Sequence, residues 1–166
     1  MKRTIPTDRD IGRLARLCER GKGPNWERIV GNAQILARVP LFSGCTPDQL
    51  AQIAALAQPS GYAPGQIIVT QGSPGQAFYV IVSGRVEILR DGRSLGALAA
   101  GDFFGEMSLL DQAPRSATIR ALEMTECLML SSWDFKSMLE RSPGIATKLL
   151  EVLSRRLRYA DELSVR

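Results

Sequence analysis

No histidine occurs anywhere in the 166 residues. That absence excludes histidine-based triads, the usual proton shuttles and most transition-metal centres, which draw on imidazole. Cysteine is scarce as well. Cys18, Cys45 and Cys127 are odd in number and far apart, which fits neither a disulfide framework nor a zinc site. All three are expected to be small buried apolar residues. No apolar run is long enough to span a bilayer. The N-terminal stretch MKRTIPTDRDIGRL lacks the apolar core of a secretory signal, so the expected compartment is the cytoplasm, with no membrane partner. Internal repeats and low-complexity tracts are also missing.

What is present has the balance of a globular domain, with 45% hydrophobic and 23% charged residues. The length suits one domain with a sizeable core. The net charge of +4 is unevenly placed: residues 1–30 carry eight Lys/Arg against four Asp/Glu, and the remainder balances at thirteen of each. A basic extension of this kind suits nucleic acid, an anionic surface or an acidic partner, or simply a solvated helical face. The last is the preferred reading, and a nucleic-acid partner is not expected.

Helical signals open the chain. Thr7 precedes Ile11, Leu14, Leu17 and Cys18 at near-helical spacing, and Gly21-Lys22-Gly23-Pro24 interrupts it. Asn25 is placed to cap a second helix carrying Trp26, Ile29, Val30, Ala33 and Ala37, which Pro40-Leu41-Phe42 ends. Thr46-Pro47-Asp48-Gln49 has the spacing of a capping box with proline in the first turn, so a third helix is expected to run from there and stop before Pro59.

The texture then changes. Nine of the fifteen glycines fall between Gly61 and Gly105, separating short strand-like runs at 66–70, 77–82, 85–90 and 94–98, with Asp91-Gly92 as a hairpin turn. Further strands are expected at 116–121 and 126–131. Such spacing implies a sandwich or jelly roll. Helix returns after Ser132 or a neighbouring cap, over 134–141. It restarts at Ser142-Pro143 with Ile145, Leu149, Val152, Leu153, Leu157 and Ala160 along one stripe.

The segment GEMSLLDQAPRSAT, Gly105 to Thr118, carries the chemistry. A glycine that opens a short helical turn leaves backbone N–H groups free to face an anion. Arg115 supplies a fork suited to phosphate oxygens. Glu106 would repel a phosphate and needs a neutral donor such as a sugar hydroxyl. Together they describe a site for a ribose bearing a phosphate. A surface ion pair between Glu106 and Arg115 is the plainer alternative.

The run Phe104-Gly105-Glu106-Met107-Ser108-Leu109, followed by Pro114-Arg115-Ser116-Ala117-Thr118, resembles the phosphate-binding cassette of the cyclic nucleotide-binding domain family, that of catabolite activator proteins, protein kinase A regulatory subunits and cyclic nucleotide-gated channels. The resemblance extends roughly over residues 39–159. It implies an α+β fold: an antiparallel β-roll (jelly roll) flanked by N-terminal helices and two C-terminal helices. The implied domains are a helical extension at 1–38 and the binding domain at 39–166, with a helical unit at 39–58, the roll at 59–131, the cassette at 104–118 and the last helices at 132–166.

By the same resemblance Gly105, Glu106, Met107, Ser108, Arg115, Ser116 and Ala117 line the ligand, with Arg115 on the cyclic phosphate and Glu106 on the ribose 2′-hydroxyl. Phe104 and Met107 fit a core role better, and Gly72 and Gly84 look like turn glycines at positive φ. Ser116 leaves the base open, with cAMP favoured over cGMP. Arg156, Arg158 and Tyr159 on the last helix are alternative purine caps, since each can stack on a base.

The expectation is a cytoplasmic sensor that needs no cofactor or metal and is not an enzyme. It would signal by repacking its last helices onto a protein partner or a second protomer, because no residues follow them for a DNA-binding module. The same fold without ligand, acting as a docking or dimerisation module, is the alternative. A metal-dependent jelly-roll enzyme is disfavoured by the lack of histidine.

Overall fold

The computed structural model describes residues 26–164. The expected helix from Thr7, the Asn25 cap, Cys18 and almost all of the basic segment lie outside the described residues.

Helix α1 (Trp26–Ala37) and a 3-10 turn (Pro40–Phe42) lead to α2 (Pro47–Leu56). The capping box on α2 is formed as expected, with Thr46 and Gln49 exchanging side-chain and backbone hydrogen bonds. The last carbonyls of α2 have no intrahelical donors, and α1 supplies them. Asn32 Nδ2 donates to Ala54 O (3.2 Å) and Ala57 O (3.1 Å), and Arg28 Nη1 donates to Ala57 O (2.6 Å).

Eight antiparallel strands follow in two four-stranded sheets. One has the order β1 (Gln58–Tyr62), β8 (Thr125–Ser131), β3 (Ala77–Ser83), β6 (Phe103–Phe104). The other has the order β2 (Ile67–Val69), β7 (Thr118–Ala121), β4 (Arg85–Arg90), β5 (Arg93–Ala99). The one-turn helix α3 (Glu106–Leu110) leaves the first sheet at β6, and α4 (Ser132–Arg141) and α5 (Pro143–Ser164) close the chain. This is the expected α+β roll between helices. Two strands escaped the sequence reading: β1, which holds Pro59 and Gly61, and the two-residue β6. Strand β7 starts two residues later than expected, and Ser131, the neighbour of Ser132, caps α4.

Within the first sheet β3 is buried on both faces, and the alternation along it shows how. Phe78 and Val80 join Leu36, Phe42, Leu50, Ile53, Phe135, Ile145 and Leu149 in a core shared with the helices. Their neighbours Ala77, Tyr79 and Ile81 face the roll interior with Val86, Phe104, Ile119 and Cys127. Phe78 packs on Phe135 (4.7 Å between centroids) and Phe103 (5.6 Å), while Tyr79 stacks on Phe104 at 4.9 Å. Strand β3 therefore ties the helices to the interior from which the cassette leaves.

Candidate functional site

The cassette begins where β6 ends. Gly105 has φ 90°, and a β-carbon there would lie 2.7 Å from Arg115 Nη1 and 2.8 Å from Ala77 O. Only glycine turns the chain here without displacing the arginine. The residue before α3 offers no side-chain cap, and the Glu106 carboxyl instead takes a hydrogen bond from its own backbone. Gly72 and Gly84 also hold positive φ, at 82° and 87°, as expected.

Arg115 is buried at 6% exposure. Its Nη1 donates to Gly105 O (2.8 Å) and Ser108 Oγ (3.1 Å), and its Nη2 donates to Ala77 O (2.7 Å). A guanidinium carries five N–H donors. These bonds use three, and among the described residues no acceptor takes Nε–H or the second Nη2–H. Burial pulls its pKa below the ordinary arginine value, with Tyr79 and Glu106 acting against that. The backbone of Arg115 is pinned to the β2–β3 loop, since Gly72 N donates to Arg115 O and Arg115 N donates to Ser73 O, both at 2.8 Å. Ser108, 6% exposed, thus serves as a prop for the arginine.

Glu106 is 2% exposed. It does not pair with Arg115, as the plainer sequence reading had it. Arg156 on α5 donates from Nη1 to Glu106 Oε1 (2.8 Å) and from Nη2 to Phe103 O (2.8 Å), with its guanidinium 4.7 Å from the centre of the Phe103 ring. Burial pushes the Glu106 carboxyl above the usual carboxylate range, and the charge of Arg156 offsets this only in part.

Other expected residues are placed less centrally. Ser116 and Ala117 are half-buried at the end of the cassette; Ser116 O accepts from Arg90 Nε (3.1 Å), and its hydroxyl lies 3.8 Å from Met107 Sδ. Phe104 is core at 3% exposure, but Met107 is 47% exposed and is not the core residue expected, because the first turn of α3 points it outward. Of the three purine-cap alternatives, Arg156 is directed onto Glu106 and Phe103, whereas Arg158 and Tyr159 lie exposed on α5. Phe103 and Ala77 were missed by the sequence reading. They act through backbone carbonyls, which have no residue signature.

Cys127 is buried and Cys45 half-buried, and burial pushes their thiols up to about 12 and about 11, so both stay protonated. Among the described residues no group of three or more potential ligands could hold a metal ion, and no helix is long and apolar enough to cross a membrane.

A β-roll that sets an inward arginine and a buried glutamate at a short helical turn has the chemistry to hold a small ligand bearing both an anion and a hydroxyl. The chain belongs to the cyclic nucleotide-binding domain family, which it matches over residues 60–142.

It is 41% identical over 127 residues to the cyclic AMP receptor protein of Thermus thermophilus, across 74% of this chain and 59% of that protein. It is 34% identical over 133 residues to a CRP-like cAMP-activated global transcriptional regulator of Mycobacterium tuberculosis, across 77% and 59%. The solved structure of cAMP-bound PfPKA-R superposes with a TM-score of 0.76 at 25% identity, over 83% of this chain and 48% of that one. The chain thus spans less than two thirds of the length of these relatives. The matched region is a ligand-binding module of regulatory proteins rather than a catalytic domain. A transcriptional regulator among them removes support for the expectation that nucleic acid is not a partner.

Proposed function

We propose that this domain is a sensor of cyclic nucleotide, with cAMP preferred to cGMP. Arg115 holds the cyclic phosphate through its two unengaged donors, backbone N–H groups near Glu106 and Ser116 complete the anion site, and Glu106 accepts from the ribose 2′-hydroxyl. Gly105, Met107, Ser108 and Ala117 form the remaining wall. The observation that carries this reading is that Arg115 and Glu106 meet at Gly105, where the cassette leaves the roll.

The signal leaves through α5. A ligand shifts an equilibrium only by its differential affinity for two states, and Arg156 provides the difference because it binds the same carboxylate that the ribose would use. A partner protein or a second copy of the chain would meet the exposed Leu150, Leu157 and Tyr159 on that helix, in the cytoplasm. Arg158 and Tyr159 supply the purine cap if α5 moves towards the roll.

The test is calorimetric titration of nucleotide-free protein with cAMP and cGMP, beside Arg115→Ala checked for folding by circular dichroism. Micromolar or tighter binding that the folded variant loses supports the sensor. No heat with either nucleotide supports a second reading, a docking or dimerisation module. That reading is favoured by one observation: Glu106 is already paired, and Arg115 already spends three donors on the protein.

A further inference from the structure

Behind the cassette, away from Glu106 and Ser116, lies a cavity of about 320 Å³. Its walls come from three parts of the chain. Gly72, Pro74 and Gly75 belong to the β2–β3 loop, Ser108, Leu109, Gln112, Ala113 and Pro114 to the cassette, and Ser132 and Lys136 to the start of α4. The volume falls within the range of small-molecule sites.

The walls are fixed in advance. Two backbone hydrogen bonds fasten the loop to Arg115, and Ser132 N donates to Gln76 O (3.0 Å). Gly75 lies so close to α3 that a β-carbon would come within 2.7 Å of Ser108 Cβ and closer still to its hydroxyl. Gln112 on the opposite wall holds φ 58°, a left-handed conformation unusual for a side-chain-bearing residue.

The chemistry of the lining is one-sided. Among the described residues Lys136 is the only charged one that lines it, and no carboxylate does. Asp134 is engaged with the Ser131 cap and Asp111 accepts from Ala113 N; Glu140 stands one turn further along α4. Ser108, Ser132 and Gln112 add hydrogen-bonding groups, and Pro74, Leu109, Ala113 and Pro114 add apolar surface.

We infer that this cavity is a second ligand site, for a small organic anion with a single carboxylate or phosphate on a compact apolar body. The anion sits on Lys136 and the serine hydroxyls, and the body lies against the prolines and Leu109. Ser108 joins this site to the first, because the same hydroxyl accepts from Arg115 Nη1. A ligand that engages Ser108 therefore changes the affinity of the cassette for nucleotide, and nucleotide changes the affinity of this site by the same factor. That coupling rests on the cyclic nucleotide reading, whereas the anion site does not.

The experiment is a heteronuclear NMR titration of the full chain with benzoate, phenyl phosphate and the neutral benzamide. Saturable shifts are expected at Gly72, Gly75, Ala113 and Ser132 with at least one anion and not with benzamide. Lys136→Glu should weaken them by about tenfold or more, and Ala113→Trp should block them. Absence of saturable shifts with both anions overturns the site. So do shifts that neither the Lys136 nor the Ala113 variant affects, and so do shifts centred on Glu106 and Ser116 that Arg115→Ala abolishes.

In the presence of the bound anion, cAMP affinity should change by about fivefold or more, and an unchanged affinity overturns the coupling. Failure of cAMP to bind the untreated protein overturns the nucleotide reading and leaves the anion shifts standing.

Discussion

Removing the Arg156 side chain should free the outer half of α5. From Ser154 to Glu162 every residue except Arg156 is exposed, and the Arg156 guanidinium fastens this stretch to the roll. Arg156→Ala deletes the bonds to Glu106 Oε1 and Phe103 O and the contact with the Phe103 ring. It also leaves a carboxylate that is 2% exposed. A hydrogen bond to a charged group contributes about 1.5–3 kcal/mol. The Arg156 side chain is 35% exposed, and water therefore screens part of that. Glu106 can also relieve its isolation by taking up a proton. The net cost is about 2 kcal/mol.

If the loss is local, amides over 154–162 should exchange about thirtyfold faster with solvent, since about 1.4 kcal/mol is tenfold. If it propagates to the whole fold, the melting temperature should fall by about 4–8 °C. Hydrogen-exchange mass spectrometry beside a thermal melt separates the two. Arg156→Lys should fall between the variants, because an ammonium keeps the charge but cannot span Glu106 and Phe103 as a planar fork does. Unchanged exchange in this segment together with a melting temperature within about 1 °C of the parent would refute the claim that Arg156 anchors the helix.

Other substitutions probe the supports of the site. Gly105→Ala forces a β-carbon towards Arg115 Nη1 and Ala77 O at positive φ and should cost about 2–3 kcal/mol in chemical denaturation, with loss of cAMP binding in titration. Asn32→Leu strips the Ala54 carbonyl at the end of α2 of its side-chain donor and should cost about 1–3 kcal/mol by the same assay. Phe135→Ala empties a fully buried position against Phe78 and should cost about 3–5 kcal/mol.

The pH dependence has a defined sign. Glu106 has a raised folded-state pKa, so the folded protein holds the proton more tightly than the unfolded chain. Its favourable contribution is present below the ordinary glutamate value of about 4.3 and is lost as pH rises through the raised value. The melting temperature of Glu106→Gln minus that of the parent should therefore climb with pH over this window; a flat or falling difference would mean that Arg156 outweighs burial.

Much of the architecture was written in local patterns. The Thr46 capping box, the Asp91-Gly92 hairpin and the Ser142-Pro143 restart each specify a boundary through short-range chemistry, and each stands where the pattern put it. Strand β1 was illegible for the same reason. Pro59 and Gly61 argue against a strand, and only pairing of residues 58–62 with β8 in a sheet covered by helices overrides them. Strand β6, two residues long, has no period to detect.

The site divides along the same line. Gly105, Glu106 and Arg115 were visible because their roles reside in residue type and spacing. The partners that orient Arg115 were not, since two of its three acceptors are main-chain carbonyls, at Gly105 and Ala77. The choice among Arg156, Arg158 and Tyr159, by contrast, was available in the sequence. Ile145, Leu149 and Val152 pack against the core, and continuing their steps of four and three by another four lands on 156, nearly in line at 100° per residue. Position 158 falls on the opposite side of the helix, and 159 about 60° off the line. An arginine on the buried face of an amphipathic helix needs an acceptor, and the cassette's buried glutamate needs a donor. Each unmet requirement predicts the other, and their meeting is what joins the last helix to the cassette.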